Sequence, residues 1–138
     1  MPRLALGLLA LLLALPAAAQ TERRFDAQGR SIGRAETNGD TTRFYDSNGR
    51  YMGRADRQGD TTRFYDEGGR YSGREDGSGD TLRRYDSGGR YTGRSDISGN
   101  TRRDFDAGGR NIGRTDTGSG TSRSYDSNGR YRGRVDKQ

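Results

Sequence analysis

Cysteine, histidine and tryptophan are all absent from the 138 residues. Without cysteine the chain has neither disulfides nor thiolate metal ligands, and without histidine it lacks the commonest general base and imidazole ligand near neutral pH. Large aliphatic residues are scarce too: beyond residue 19 only Ile32, Met52, Leu82, Ile97, Ile112 and Val135 occur. Six such side chains do not suffice for a thick two-layer core. The one long apolar run is Leu4 to Leu15, preceded by Arg3 and followed by Pro16 and Ala17-Ala18-Ala19. At about 1.5 Å per residue it is too short to span a bilayer, and it reads as a secretory signal peptide over residues 1–19, cleaved before Gln20. No cysteine follows it to take a lipid. The mature chain is therefore expected to be periplasmic or secreted, with no membrane span.

Charge is plentiful but nearly balanced, with 25 basic and 19 acidic side chains and a net charge of +6. Apart from Lys137 every basic residue is arginine. The excess is spread evenly along the chain rather than gathered on one face or tail, which favours solubility and argues against nucleic acid as the partner.

What the sequence has in abundance is repetition. A period of twenty divides it into units 21–40, 41–60, 61–80, 81–100, 101–120 and a shortened 121–138. Each reads Thr, x, Arg, x, aromatic, Asp, x, x, Gly, Arg, x, x, Gly, Arg, x, acid, x, x, Gly, x. An acid followed three residues later by glycine thus recurs every ten positions, from Asp26 and Gly29 onward, with Ser119 breaking the pattern. Asp at the first position of a turn accepts a hydrogen bond from the amide two residues on, and Gly at the fourth takes the positive φ of a type I turn with a G1 bulge. Both acids of a unit are accordingly read as turn residues. About six residues separate the turns, one ordinary β-strand, and glycine every few residues opposes helix.

The expected fold is all-β: six twenty-residue hairpins in an antiparallel meander in residues 20–138. With a G1 turn at each step, Tyr45 opposes Tyr51, Arg43 opposes Gly53, and Tyr51 opposes Tyr65 of the next unit. One continuous belt follows, from Phe25 to Tyr131, aromatic except at Ser31 and Asn111. Arg43, Arg63, Arg83 and Arg103 then lie beside that belt on the same face, each over a glycine and within reach of a cation–π contact to Tyr45, Tyr65 or Tyr85. Arg54, Arg74 and their equivalents fall on the opposite face with the Asp46/Arg50 pairs. A sheet closed into a shallow barrel or flower buries the belt and removes exposed edges, while an open curved ribbon is the alternative. Disorder, which 32% charged residues favour, does not require a turn glycine held in phase with an aromatic.

The run "GDTTRFYDSNGRYMGRADRQGD" resembles the bacterial β-flower proteins, exported repeat proteins with hairpin petals around a shallow barrel, whose D-x-x-G-x-x-x-G pattern is met at Asp46, Gly49 and Gly53 and in every other unit. The resemblance implies the same architecture and carries no catalytic residues. A weaker one, in "YDSNGRYMGRADRQGDTTRFYD", is to the YD repeats of Rhs-type surface proteins. The hairpins of Gram-positive cell-wall-binding repeats are similar in length, but this chain lacks the tryptophans of their choline cage.

The chemistry these residues suggest is limited. Each Asp is explained by its turn and faces an Arg that keeps it ionised, which leaves no raised pKa for acid–base catalysis. "DGSGD" at 76–80 has the glycines of a calcium loop but the wrong period, and no helix follows the "GGR" segments to make a phosphate loop. No cofactor, metal or enzymatic activity is expected. Two readings remain: a non-catalytic scaffold or interaction module of the cell envelope, or an anion- and polysaccharide-binding surface built from Arg43, Arg63, Arg83 and Arg103 with Tyr45, Tyr65 and Tyr85. An envelope polymer or a protein is the partner these readings imply.

Overall fold

The computed structural model describes residues 19–138, so the expected leader lies outside the described residues apart from Ala19. Twelve strands follow one another: β1 Gln20–Asp26, β2 Ser31–Asn38, β3 Thr41–Asp46, β4 Tyr51–Gln58, β5 Thr61–Asp66, β6 Tyr71–Ser78, β7 Thr81–Asp86, β8 Tyr91–Ser98, β9 Thr101–Asp106, β10 Asn111–Thr117, β11 Thr121–Asp126 and β12 Tyr131–Lys137. Each is antiparallel to the next, and β1 pairs with β12 from Glu22↔Lys137 to Asp26↔Gly133. The meander is a closed barrel of repeated hairpins, not an open ribbon.

The two acid-x-x-glycine elements of each unit do different jobs. At the first, the Asp46 amide bonds the Arg50 carbonyl at 2.9 Å and Gly49 bonds back to the Asp46 carbonyl at 3.1 Å. The Asp46 Oδ1 accepts from the amides of Asn48 and Arg50, both at 2.9 Å, while Gly49 has φ 82. That is the expected turn. The second element is not a turn of this kind. Asn38 pairs with Thr41, so the loop is only Gly39 and Asp40, with φ 64 at Gly39, and Glu36 sits inside β2. A two-residue loop needs positive φ at its first residue, and glycine provides it without needing the acid. At the Ser119 interruption, Gly120 takes the positive φ instead, at 78.

The register also departs from expectation, at one place in each unit. Tyr45 does oppose Tyr51, but the next pair is Phe44↔Gly53, which leaves Met52 as an extra residue on β4. This bulge reverses the facing of everything after it. Arg43 therefore opposes Arg54 and not Gly53, and Tyr65 opposes Arg54 and not Tyr51. Arg63 and Arg74, expected on opposite faces, are direct cross-strand neighbours on one face.

Which face is buried follows from that parity. The interior takes Thr42, Phe44, Gly53 and Ala55 and their equivalents, and the aromatic belt runs around the outside, with Tyr51, Tyr71, Tyr91 and Tyr131 each 37% exposed. The expectation that closure buries the belt is thus overturned. Inside, Ala35, Phe44, Ala55 and Phe64 form one apolar cluster over β2 to β5, and Leu82 and Val135 add to the buried apolar surface. The rest of the interior is polar or charged, including Glu22, Glu75, Ser95, Arg102 and Ser122. Ser95 and Ala35 have no exposed surface at all, so the barrel is filled around them.

Candidate functional site

On the outer wall four of the six hairpins build the same constellation. Arg54 lies 4.2 Å over the Tyr65 ring and donates its Nε to Asp56 Oδ2 at 3.2 Å, while Asp56 Oδ1 accepts from Thr41 Oγ1 at 3.1 Å. Tyr45 and Tyr51 meet edge to face, 5.9 Å between centroids. The Asp56 carboxylate, and then the Tyr51 hydroxyl, raise the Arg54 pKa and keep that cation in place. Arg34, Arg74, Arg94, Arg114 and Arg134 repeat the stacking at 4.1–4.3 Å.

The stacking expected of Arg43, Arg63, Arg83 and Arg103 is therefore made by the other arginine of each strand pair. Tyr45, Tyr65 and Tyr85 each already carry Arg34, Arg54 or Arg74 on one face. Those rings are covered and do not offer that face to a sugar or base. Arg43, Arg63, Arg83 and Arg103 remain exposed and, with Arg23 and Arg123, form a ring of six around the barrel. Among the described residues none of the six side chains makes a hydrogen bond or ion pair. Cross-strand, each has an arginine on one side and an acid on the other, as Arg63 has Arg74 and Asp56. The band thus carries two cations for every acid, and that acid is held by the stacked arginine.

The interior holds a second charged group that the repeat pattern concealed. Arg102 Nε bonds Asp104 Oδ1 at 2.8 Å, and Ser95 Oγ donates to the same oxygen. Arg84 bonds Ser95 Oγ and the Arg94 carbonyl and lies 3.9 Å from both Asp104 Oδ1 and Glu75 Oε2. Glu75 is 2% exposed, and its Oε1 has no hydrogen-bond partner among the described residues. A sequence signal existed: positions 75, 84 and 104 carry charge where units two and three, at 55, 44 and 64, carry Ala or Phe. These departures look scattered along the chain but face one another across the sheet. Arg84 and Arg102 flank the two carboxylates, and together the four side chains make a largely buried ion network. Asp76, in the segment considered for calcium, is engaged by Arg74 at 3.1 Å and by Thr61 at 3.1 Å.

These carboxylates set a pH dependence. Burial pushes Glu75 above the ordinary carboxyl range despite Arg102 and Arg84, and nearby Asp104 adds to the rise. Glu22 is raised by burial against the pull of Arg24 and Lys137. A raised folded pKa means the folded state holds the proton better, so this contribution is full at low pH and is lost as pH climbs from the ordinary carboxyl value through the raised one. Asp26 and Asp126 are lowered, chiefly by the amides of Arg30 and Arg130, so theirs is lost as pH falls below the ordinary value. Stability is expected to peak at the upper edge of the carboxyl range and decline toward neutrality, and Glu75→Gln to flatten that decline. Melting temperatures from about pH 3 to 8 check this; a wild-type curve that still rises through neutrality contradicts it.

No protein-family model and no curated protein matches this chain.

Proposed function

We propose that this protein is an exported, non-catalytic barrel of the cell envelope, β-flower-like in design, that binds an anionic envelope polymer around its outer wall. The observation that carries the reading is the ring Arg23, Arg43, Arg63, Arg83, Arg103 and Arg123, exposed and unpaired while each of the six stacked arginines lies on an aromatic ring and against an acid. Successive members are two strands apart, about 10 Å, so an extended polyanion can engage several at once. Guanidinium forks suit carboxylate and phosphate alike. The signal-like segment at 1–19 supports export.

Binding of this kind is strongly salt-dependent. The mature protein is expected to be retained on a heparin column and released by NaCl, and the triple substitution Arg43→Gln, Arg63→Gln, Arg83→Gln to elute at much lower salt. Arg74→Gln should instead lower the melting temperature, because it removes a stacked and paired cation, and leave elution nearly unchanged. If the triple variant elutes with the wild type, the band is not a binding surface.

A further inference from the structure

Two of the six hairpins, at Ser31 and Asn111, lack the outer-wall tyrosine, and the second of these carries a groove. Where Tyr51, Tyr71, Tyr91 and Tyr131 each meet an aromatic partner edge-on at 5.9–6.0 Å, the equivalent residue of the fifth hairpin is Asn111, opposite Phe105. Beside Asn111 lies a groove of about 360 Å³, lined by Arg103, Asn111, Gly113, Arg114, Asp126 and Ser127. That volume is at the small end for a ligand pocket.

The lining is chemically two-sided. Arg103 is exposed and unpaired, and Arg114 is held by stacking on Tyr125 at 4.3 Å and by a long 3.4 Å contact to Asp116. After the acid beside it, the tyrosine hydroxyl three residues back helps raise the pKa of Arg54, Arg74 and Arg134, and at Arg114 that position is Asn111. Asn111 Oδ1 accepts from the Gly113 amide at 3.1 Å, which leaves its NH₂ to donate. Across the groove Asp126, ionised and tied to the amides of Asn128 and Arg130 at 2.9 Å, offers acceptor capacity on its carboxylate, and Ser127 adds a hydroxyl. The other hairpin without the ring, at Ser31, has the longer Glu36 holding Arg34 at 2.9 Å.

We propose that this groove binds an acidic sugar residue, its carboxylate on Arg103 and Arg114 and its ring hydroxyls on Asp126, Ser127 and the Asn111 amide. A bare anion satisfies the guanidiniums but meets the Asp126 charge, and a neutral sugar leaves Arg103 without an anionic partner. Only a ligand with an anionic end and a hydroxyl-bearing body matches both sides. The proposal rests on reading the outer wall as anion-binding, and it adds a defined subsite to the diffuse band.

The probe is digalacturonic acid titrated into the mature protein by NMR, with digalactose and inorganic phosphate as controls. Saturable shifts with digalacturonate, at least about tenfold tighter than with either control, are expected from the paired charge-assisted bonds. Asn111→Tyr installs the residue that four other hairpins already carry, so it should fold normally, fill the groove and weaken digalacturonate binding by at least about tenfold. Arg103→Gln should weaken it similarly, whereas Arg43→Gln/Arg63→Gln/Arg83→Gln should leave it unchanged while weakening heparin retention. Undiminished digalacturonate binding in Asn111→Tyr, or equal binding of digalactose or phosphate, overturns the groove assignment. Heparin retention without any digalacturonate binding likewise overturns the groove and leaves the band intact. Digalacturonate binding without heparin retention removes the band and keeps the groove.

Discussion

Replacing Gly53 with alanine is expected to destabilise the barrel by about 3 kcal/mol or more, several times the effect of the same change at Gly49. Both glycines have positive φ, 137 at Gly53 and 82 at Gly49. Their surroundings differ. A Cβ on Gly53 would sit 2.3 Å from the Tyr65 carbonyl oxygen, with Asp66 backbone atoms at 3.3 Å, and neither can yield without breaking the β4–β5 ladder. A Cβ on Gly49 meets nothing closer than the end of the flexible Arg34 side chain at 3.9 Å, so only the left-handed backbone resists, at about 1 kcal/mol. Urea unfolding of the two variants checks the ranking. Equal losses would mean that the bulge is not held against its neighbour strand as described.

That glycine also explains where reading the sequence succeeds and where it fails. The Asp46 turn is legible because a side-chain acceptor and a positive φ three residues apart are local requirements, and the Tyr45↔Tyr51 pairing follows from the turn. Closure is legible as the way twelve short strands avoid free edges. The inner face is not, because it depends on parity: one extra residue, Met52, moves Arg54 to the side of Arg43 and Ala55 to the inside. A glycine kept within a strand in every unit is itself a sign of a bulge, and Gly53 is that sign. The role of the second acid is hidden from its spacing for a related reason. Glu36 and Asp56 look like turn residues by spacing, yet they hold Arg34 and Arg54 against the next hairpin. As for the site, the exposed arginines are readable from sequence, but their division of labour with the stacked set depends on the shifted register.

The parity also inverts the usual relation between repetition and burial. The repeated arginines, the Asp of the turn and the acid of the second strand lie on the outer wall, while of the invariant residues only the bulge glycine faces inward, beside positions that vary from unit to unit. Sixfold repetition outside gives a uniform surface, and the interior is left to be filled asymmetrically. One arc of it is apolar around Phe44 and Phe64, and another carries Glu75, Arg84, Arg102 and Asp104.

Asp104→Ala is expected to cost about 3–5 kcal/mol, enough to unfold a marginally stable chain, because it leaves Arg102 and Arg84 buried without their shared carboxylate. Arg102 is 5% exposed and cannot reach solvent as a surface arginine does. The size of this loss does not measure how much the network stabilises the barrel. Burying four charges carries a desolvation penalty that their mutual attraction only partly repays, so removing all of them together is a different experiment. The repeat supplies its own replacements: Glu75→Ala, Arg84→Phe, Arg102→Thr and Asp104→Phe give these positions the residues of Ala55, Phe44, Thr42 and Phe64, at nearly constant volume. The quadruple variant is expected to be as stable as the wild type or more so, and to lose most of the decline in stability toward neutral pH. Chemical denaturation of the single and quadruple variants, side by side, decides it. If the quadruple variant is as unstable as Asp104→Ala, the ion network stabilises the fold in its own right and the interior positions are not interchangeable between units.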